Sequence, residues 1–253
     1  MSHLDCMRKL TPQRFRVRQL PVLLAILGAL MLLWETPIVG PLRLIVVFFH
    51  ELSHALAALA TGGSIVGIQL AADGSGLCTT RGGSRFLILS AGYLGSLLWG
   101  GIILVLAARS RRDSVLVALA GTLLVLVTVL FIRPFQGFGF ISSFACGAVL
   151  MASARWLPAV FNDLLLKVIG LTSCFYVVLD LKDIVFWRVG PDSDAHRLGE
   201  LTGIPTTLWA LLWMALAIVG ALGFLALAAS APPETGEPTG KPTGEPARGI
   251  GKK

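Results

Sequence analysis

Three residues in one short stretch have the types and spacing to do chemistry. His50, Glu51 and His54 form a His-Glu-x-x-His set within Leu42 to Ala60, a run apolar enough to lie in a bilayer. Positions four apart share one face of a helix, so both imidazoles can reach a single metal ion. Two neutral imidazoles suit Zn²⁺, and Glu51 stands beside them, placed to take a proton from a water that the ion polarises. Ionisable groups at membrane depth are costly and are kept mainly for function. The set therefore points to hydrolysis within a membrane.

Two histidines do not complete a catalytic zinc site, which usually has three protein ligands and one open position. The remaining histidines, His3 and His196, lie in polar stretches. Carboxylates near the end of a later apolar run are better candidates. In Tyr176-Val-Val-Leu-Asp180-Leu-Lys-Asp183, the two aspartates stand three residues apart and share a helical face. One of them would complete a His₂Asp set. The alternative is that both are interfacial charges, with Lys182 as a local partner.

The elements that position these groups follow from composition. The chain has 253 residues, 55% hydrophobic and 14% charged, and its mean hydropathy is +0.79. Ordinary soluble domains carry about 25% charged residues. The pattern predicts an all-α polytopic membrane protein with about six to seven transmembrane helices. Expected spans run over 21–34, 41–60, 86–107, 114–132, 139–157, 162–187 and 206–228. Gly92, Gly95, Gly100 and Gly101 mark the third as a helix that packs closely on neighbours. Between the second and third, Ser64 to Thr80 reads as a small β-hairpin turning at Asp73-Gly74-Ser75-Gly76. Such a hairpin could accept an extended substrate as an added strand near Ile65 to Leu70.

Residues 1–19 read as a basic cytoplasmic segment, with Arg8, Lys9, Arg14, Arg16 and Arg18 placed to touch anionic lipid. Residues 20–230 read as the membrane domain. Residues 231–253 repeat a Pro-Thr-Gly unit and should be disordered. No cleavable signal peptide is expected, the first apolar run staying as an anchor. Net charge is +7, but no basic block is interleaved with aromatics, so nucleic acid is not an expected partner. Cys6, Cys78, Cys146 and Cys174 form no Cys-x-x-Cys pair, which argues against a disulfide framework. Between Ser193 and Pro205, good capping residues predict a short surface helix: Ser193 or Asp194 as N-cap, Gly203 after its end.

The stretch His50-Glu-Leu-Ser-His54-Ala-Leu-Ala-Ala-Leu-Ala-Thr-Gly62-Gly63 resembles the active-site helix of the site-2 protease class of intramembrane zinc metalloproteases. Ala91-Gly92-Tyr93-Leu94-Gly95-Ser96 resembles that class's small-residue segment after a membrane-embedded hairpin. Ser193 to Pro205 resembles a stretch in a divergent bacterial branch. The resemblance spans roughly residues 40 to 215. It implies a peptidase of the plasma membrane that takes membrane-protein substrates. Its third zinc ligand would be Asp180, because Leu179-Asp180 matches the class's Leu-Asp-Gly motif, although Leu181 replaces the glycine. The other reading is a non-proteolytic membrane scaffold or a small transporter retaining the motif.

Overall fold

The computed structural model describes residues 19–34, 36–186 and 193–229. Eight helices and one hairpin appear among them: α1 (Gln19–Leu33), α2 (Gly40–Ala60), β1 (Ser64–Leu70), β2 (Gly76–Arg81), α3 (Arg85–Arg109), α4 (Asp113–Phe131), α5 (Phe138–Trp156), α6 (Ala159–Phe186), α7 (Asp194–Thr202) and α8 (Thr206–Ala229). Six of the helices are long and apolar enough to cross a membrane. The seventh expected span, α1, has only 15 residues, short of the about 20 that a bilayer core requires. The basic cluster before residue 19 and the tail 231–253 lie outside the described residues, as does the side chain of Asp183.

Helix α3 is the hub, and its glycines explain why. A Cβ on Gly92 would lie 2.5 Å from His50 Nε2, and one on Gly95 would overlap the Ser53 side chain, so this face sits directly on α2. Gly100 does the same toward α6, where a Cβ would meet the Cys174 backbone nitrogen at 2.6 Å and the Gly170 carbonyl at 2.7 Å. Gly101 makes room for Phe224 of α8. Without a hydrophobic force between helices in lipid, this close backbone approach is what holds them. One apolar cluster joins α2, β1, α4 and α6 through residues such as Phe48, Ile68, Val117 and Leu166. A second joins α3, α6, α7 and α8 through Leu89, Leu181, Leu198 and Trp209.

The hairpin forms as expected. β1 and β2 are antiparallel, with Ile68 opposite Cys78 and Leu70 opposite Gly76, and β1 bulges between Ile65 and Gly67. Asp73 shapes the turn by accepting from the Ser75 backbone N–H at 2.9 Å and the Ser75 hydroxyl at 2.7 Å. These bonds lower the Asp73 pKa. On its other side β1 meets Ile132 in a parallel bridge, and Arg133 N–H donates to Ile68 O at 3.2 Å. The outer edge of β2 has no strand partner among the described residues.

Candidate metal centre

His50 is the eleventh residue of the 21-residue α2, so at 1.5 Å per residue it lies about 15 Å from either end. His50, Glu51 and His54 are all buried, at 7%, 5% and 6% exposure. The i, i+4 spacing brings the two imidazoles together, their ring centroids 4.7 Å apart. The glycine at position 92 of α3 leaves the space they fill. A Cβ there would also come within 2.6 Å of His54 Cε1.

The third group in this space is Asp194, from the first turn of α7. Its Oδ2 lies 2.9 Å from His50 Nε2 and 3.0 Å from His54 Nε2. The three ligand atoms all lie within 4.8 Å of one another, and this is the one His/Cys/Asp/Glu group of metal-binding geometry among the described residues. Asp180, expected from Leu179-Asp180 to be the third ligand, is not in it. The Asp180 Oδ2 instead accepts from the Tyr93 hydroxyl at 3.0 Å. The difference is geometric: Asp180 lies on α6, whereas α7 folds back to bring Asp194 onto both imidazoles.

Local sequence explains how α7 does this. Ser193 caps the helix, its side chain accepting from His196 N–H at 3.2 Å. Gly203 ends it in the left-handed conformation at φ 74°, which glycine adopts without strain. Ala195 and Leu198 are fully buried and pin the helix to α3, α6 and α8. Asp194 therefore occupies the first turn, where the helix dipole favours a negative charge. Burial works to raise the Asp194 carboxyl, but His54 and His50 beside it more than offset this and hold its pKa well below the usual carboxylate range.

Hydrogen bonding shows what the group can hold. His54 Nδ1 lies 2.6 Å from the Ile88 carbonyl oxygen. A carbonyl only accepts, so Nδ1 carries the proton, and neutral His54 presents a lone pair at Nε2. A lone pair facing a carboxylate oxygen at 3.0 Å is repulsive unless a proton or a metal ion lies between them. The nitrogen pair and single carboxylate thus suit a metal ion, and two imidazoles with one carboxylate form a donor set of catalytic zinc type.

Glu51 is not a member of that group. It lines a cavity of about 660 Å³ together with His50, His54, Asp194, Asp180 and the backbone of β2. β2 lies against it: a Cβ on Gly76 would overlap Glu51 Oε1, and the Cys78 backbone reaches its carboxylate. Burial pushes the Cys78 thiol up to about 12, with the charges of Glu51 and Asp194 acting in the same direction. Two tyrosines that sequence reasoning did not assign to the site meet His50 edge-on, Tyr93 at 4.9 Å and Tyr176 at 5.9 Å between centroids.

Sequence reasoning read Asp194 as a capping residue only. Its signal was weak, because an acid at a helix start is ordinary and its partners lie 144 and 140 positions away. No curated protein and no solved structure matches the chain. A family model described as peptidase M50B-like matches residues 23–225, which takes in every element from α2 to α7. With six apolar helices and a His-His-Asp group that could hold a metal, the chain is an integral membrane protein and belongs to the peptidase M50B-like family.

Proposed function

We propose that the chain is an intramembrane zinc metalloendopeptidase that hydrolyses peptide bonds in or near the transmembrane segments of other proteins. The observation that carries this reading is the convergence of His50 Nε2, His54 Nε2 and Asp194 Oδ2 beside Glu51 on the wall of a cavity. His50, His54 and Asp194 are the proposed ligands. Zn²⁺ bound by them supplies the Lewis acidity that makes a water deprotonatable near neutral pH. Glu51 takes that proton on its carboxylate. The water oxygen bonds to the scissile carbonyl carbon, the C–N bond breaks, and Glu51 returns the proton to the leaving nitrogen. The Ile88 carbonyl keeps the His54 tautomer fixed.

Substrate enters as an extended segment, since a helical one keeps its amides bonded to itself. The strand suited to receive it is β2 rather than β1, because Ile132 and Arg133 already occupy the outer edge of β1 at Ile68. Leu77 and Thr79 line the cavity from β2. Resemblance to the bacterial branch supports a location in a bacterial plasma membrane.

The experiment is zinc analysis and cleavage of a membrane-spanning reporter, wild type beside Glu51→Gln. Wild type should carry about one Zn²⁺ per chain and cleave. Glu51→Gln should keep the zinc and lose cleavage by about 10²- to 10⁴-fold. A zinc-loaded Glu51→Gln protein that cleaves at the wild-type rate overturns the mechanism. A wild type that neither binds zinc nor cleaves leaves a membrane scaffold or transporter.

A further inference from the structure

Asp180 and its two tyrosines have no part in the mechanism above, yet they surround one of its ligands. Tyr93 joins the two: its ring packs edge-on against His50 at 4.9 Å, and its hydroxyl donates to Asp180 Oδ2 at 3.0 Å. Tyr176, one helical turn before Asp180, puts a second ring on His50 at 5.9 Å and interacts with the same carboxylate. His50 itself poses a question that His54 does not. His54 Nδ1 has the Ile88 carbonyl, whereas His50 Nδ1 is buried and has no protein partner. For His50 to present a lone pair at Nε2, its Nδ1 must carry a proton, and with no acceptor there the ring is held by its packing rather than by a hydrogen bond. Asp194 is engaged at Nε2. Asp180 also lines the cavity.

We infer that Asp180, with Tyr93 and Tyr176, is the positioning carboxylate of His50: it orients the two phenols whose rings clamp the imidazole. Outer partners of this kind fix tautomer and ring orientation in metal sites, and losing one typically weakens metal binding about 10- to 100-fold. This differs from a ligand role for Asp180. It rests on the assignment of His50, His54 and Asp194 as ligands.

The test measures Zn²⁺ affinity by chelator competition, the visible spectrum of the Co²⁺-loaded protein, and the thermal stability of the metal-free protein in detergent. The proteins are wild type, Asp180→Asn, Tyr93→Phe and Asp194→Ala. Asp180→Asn should bind Zn²⁺ about 10- to 100-fold more weakly, while the Co²⁺ spectrum keeps the wild-type form and the metal-free protein melts as wild type does. Tyr93→Phe keeps the ring and removes only the hydroxyl, so it should weaken binding in the same direction by a smaller factor. It also carries the test if Asp180→Asn does not fold. Wild-type affinity in both variants overturns the inference, as does a fall in melting temperature with affinity retained, which marks a structural role. An Asp180→Asn protein with an altered Co²⁺ spectrum makes Asp180 a ligand and overturns it too. Asp194→Ala serves the underlying reading separately. If it keeps zinc, that ligand assignment fails; if it loses zinc while Asp180→Asn does not, only the present inference fails.

Discussion

Gly92→Ala is a one-carbon change that should weaken metal binding. The added Cβ would stand 2.5 Å from His50 Nε2 and 2.6 Å from both His50 Cε1 and His54 Cε1. Comfortable contact for such atoms begins at about 3.5 Å, so the rings must retreat by about 1 Å. Neither can do so freely. His54 is held by Ile88 O at 2.6 Å, and His50 lies against Tyr93 and Tyr176. Metal sites tolerate ligand displacements of only about 0.2 Å. The alternative is for α3 to move off α2, and overpacking of this sort costs about 1–3 kcal/mol. Either way, Zn²⁺ affinity should fall by about 10- to 100-fold or more, since disturbing only a ligand's support already weakens metal binding on that scale. The assay is zinc content after dialysis against a weak chelator, with Gly223→Ala as control. A Cβ at Gly223 meets nothing within 4 Å, so that variant should match wild type. A Gly92→Ala protein that retains one zinc per chain at wild-type affinity refutes the cradle argument.

Asp194→Ala should strip the zinc that Asp183→Ala retains, as measured by metal analysis of purified protein. Zinc retained in Asp194→Ala would move the third ligand elsewhere. Gly76→Ala should keep zinc but lose reporter cleavage, because its Cβ overlaps Glu51 Oε1 and lies 2.7 Å from Val47 Cγ1, driving β2 away from the base. Cleavage at the wild-type rate would show that β2 need not touch Glu51. Cys78, with its thiol pushed up to about 12, should be alkylated in the folded protein at pH 8 at least about 10³-fold more slowly than an ordinary thiol with pKa near 8.5. The rate should climb with pH to well above 10, because only the thiolate reacts. Alkylation at pH 8 as fast in folded as in denatured protein would count against the packing of β2 on the site.

The order in which features were legible in the sequence follows the range of the interactions behind them. The helices α2 to α6 and α8 depend on hydropathy over about 20 residues, which any apolar run displays. The hairpin depends on Asp73, Gly74 and Ser75, which act on neighbours two residues away. The His50 and His54 pair depends on one helical turn. The ends of α7 were likewise legible, because Ser193 and Gly203 act through local caps. The destination of α7 was not, since it depends on Ala195 and Leu198 finding Leu89, Leu181 and Trp209 across three other helices. Asp194 reaches the histidines only through that docking. Asp180, preferred from the Leu179-Asp180 pair, lies near the right histidine but one layer out, tied to Tyr93. The use of β2 rather than β1 was hidden for the same reason: Ile132 is 64 positions from Ile68.

The placement of Asp194 has a consequence for how the site is assembled. His50 and His54 come from a single helix whose other contacts, to α3, the hairpin and α6, do not involve α7. The two imidazoles and their cradle at Gly92 can therefore form before α7 docks. The proposed third ligand arrives on a nine-residue helix, too short to be stable alone in water. Its order depends on Ala195 and Leu198 packing and on Asp194 meeting its partners. Folding of α7 and completion of the ligand set are then one event, so metal binding should report on α7 docking. The ligand proposed to close the set comes from the first turn of a short docked helix, and the two proposed with it come from the middle of a long one.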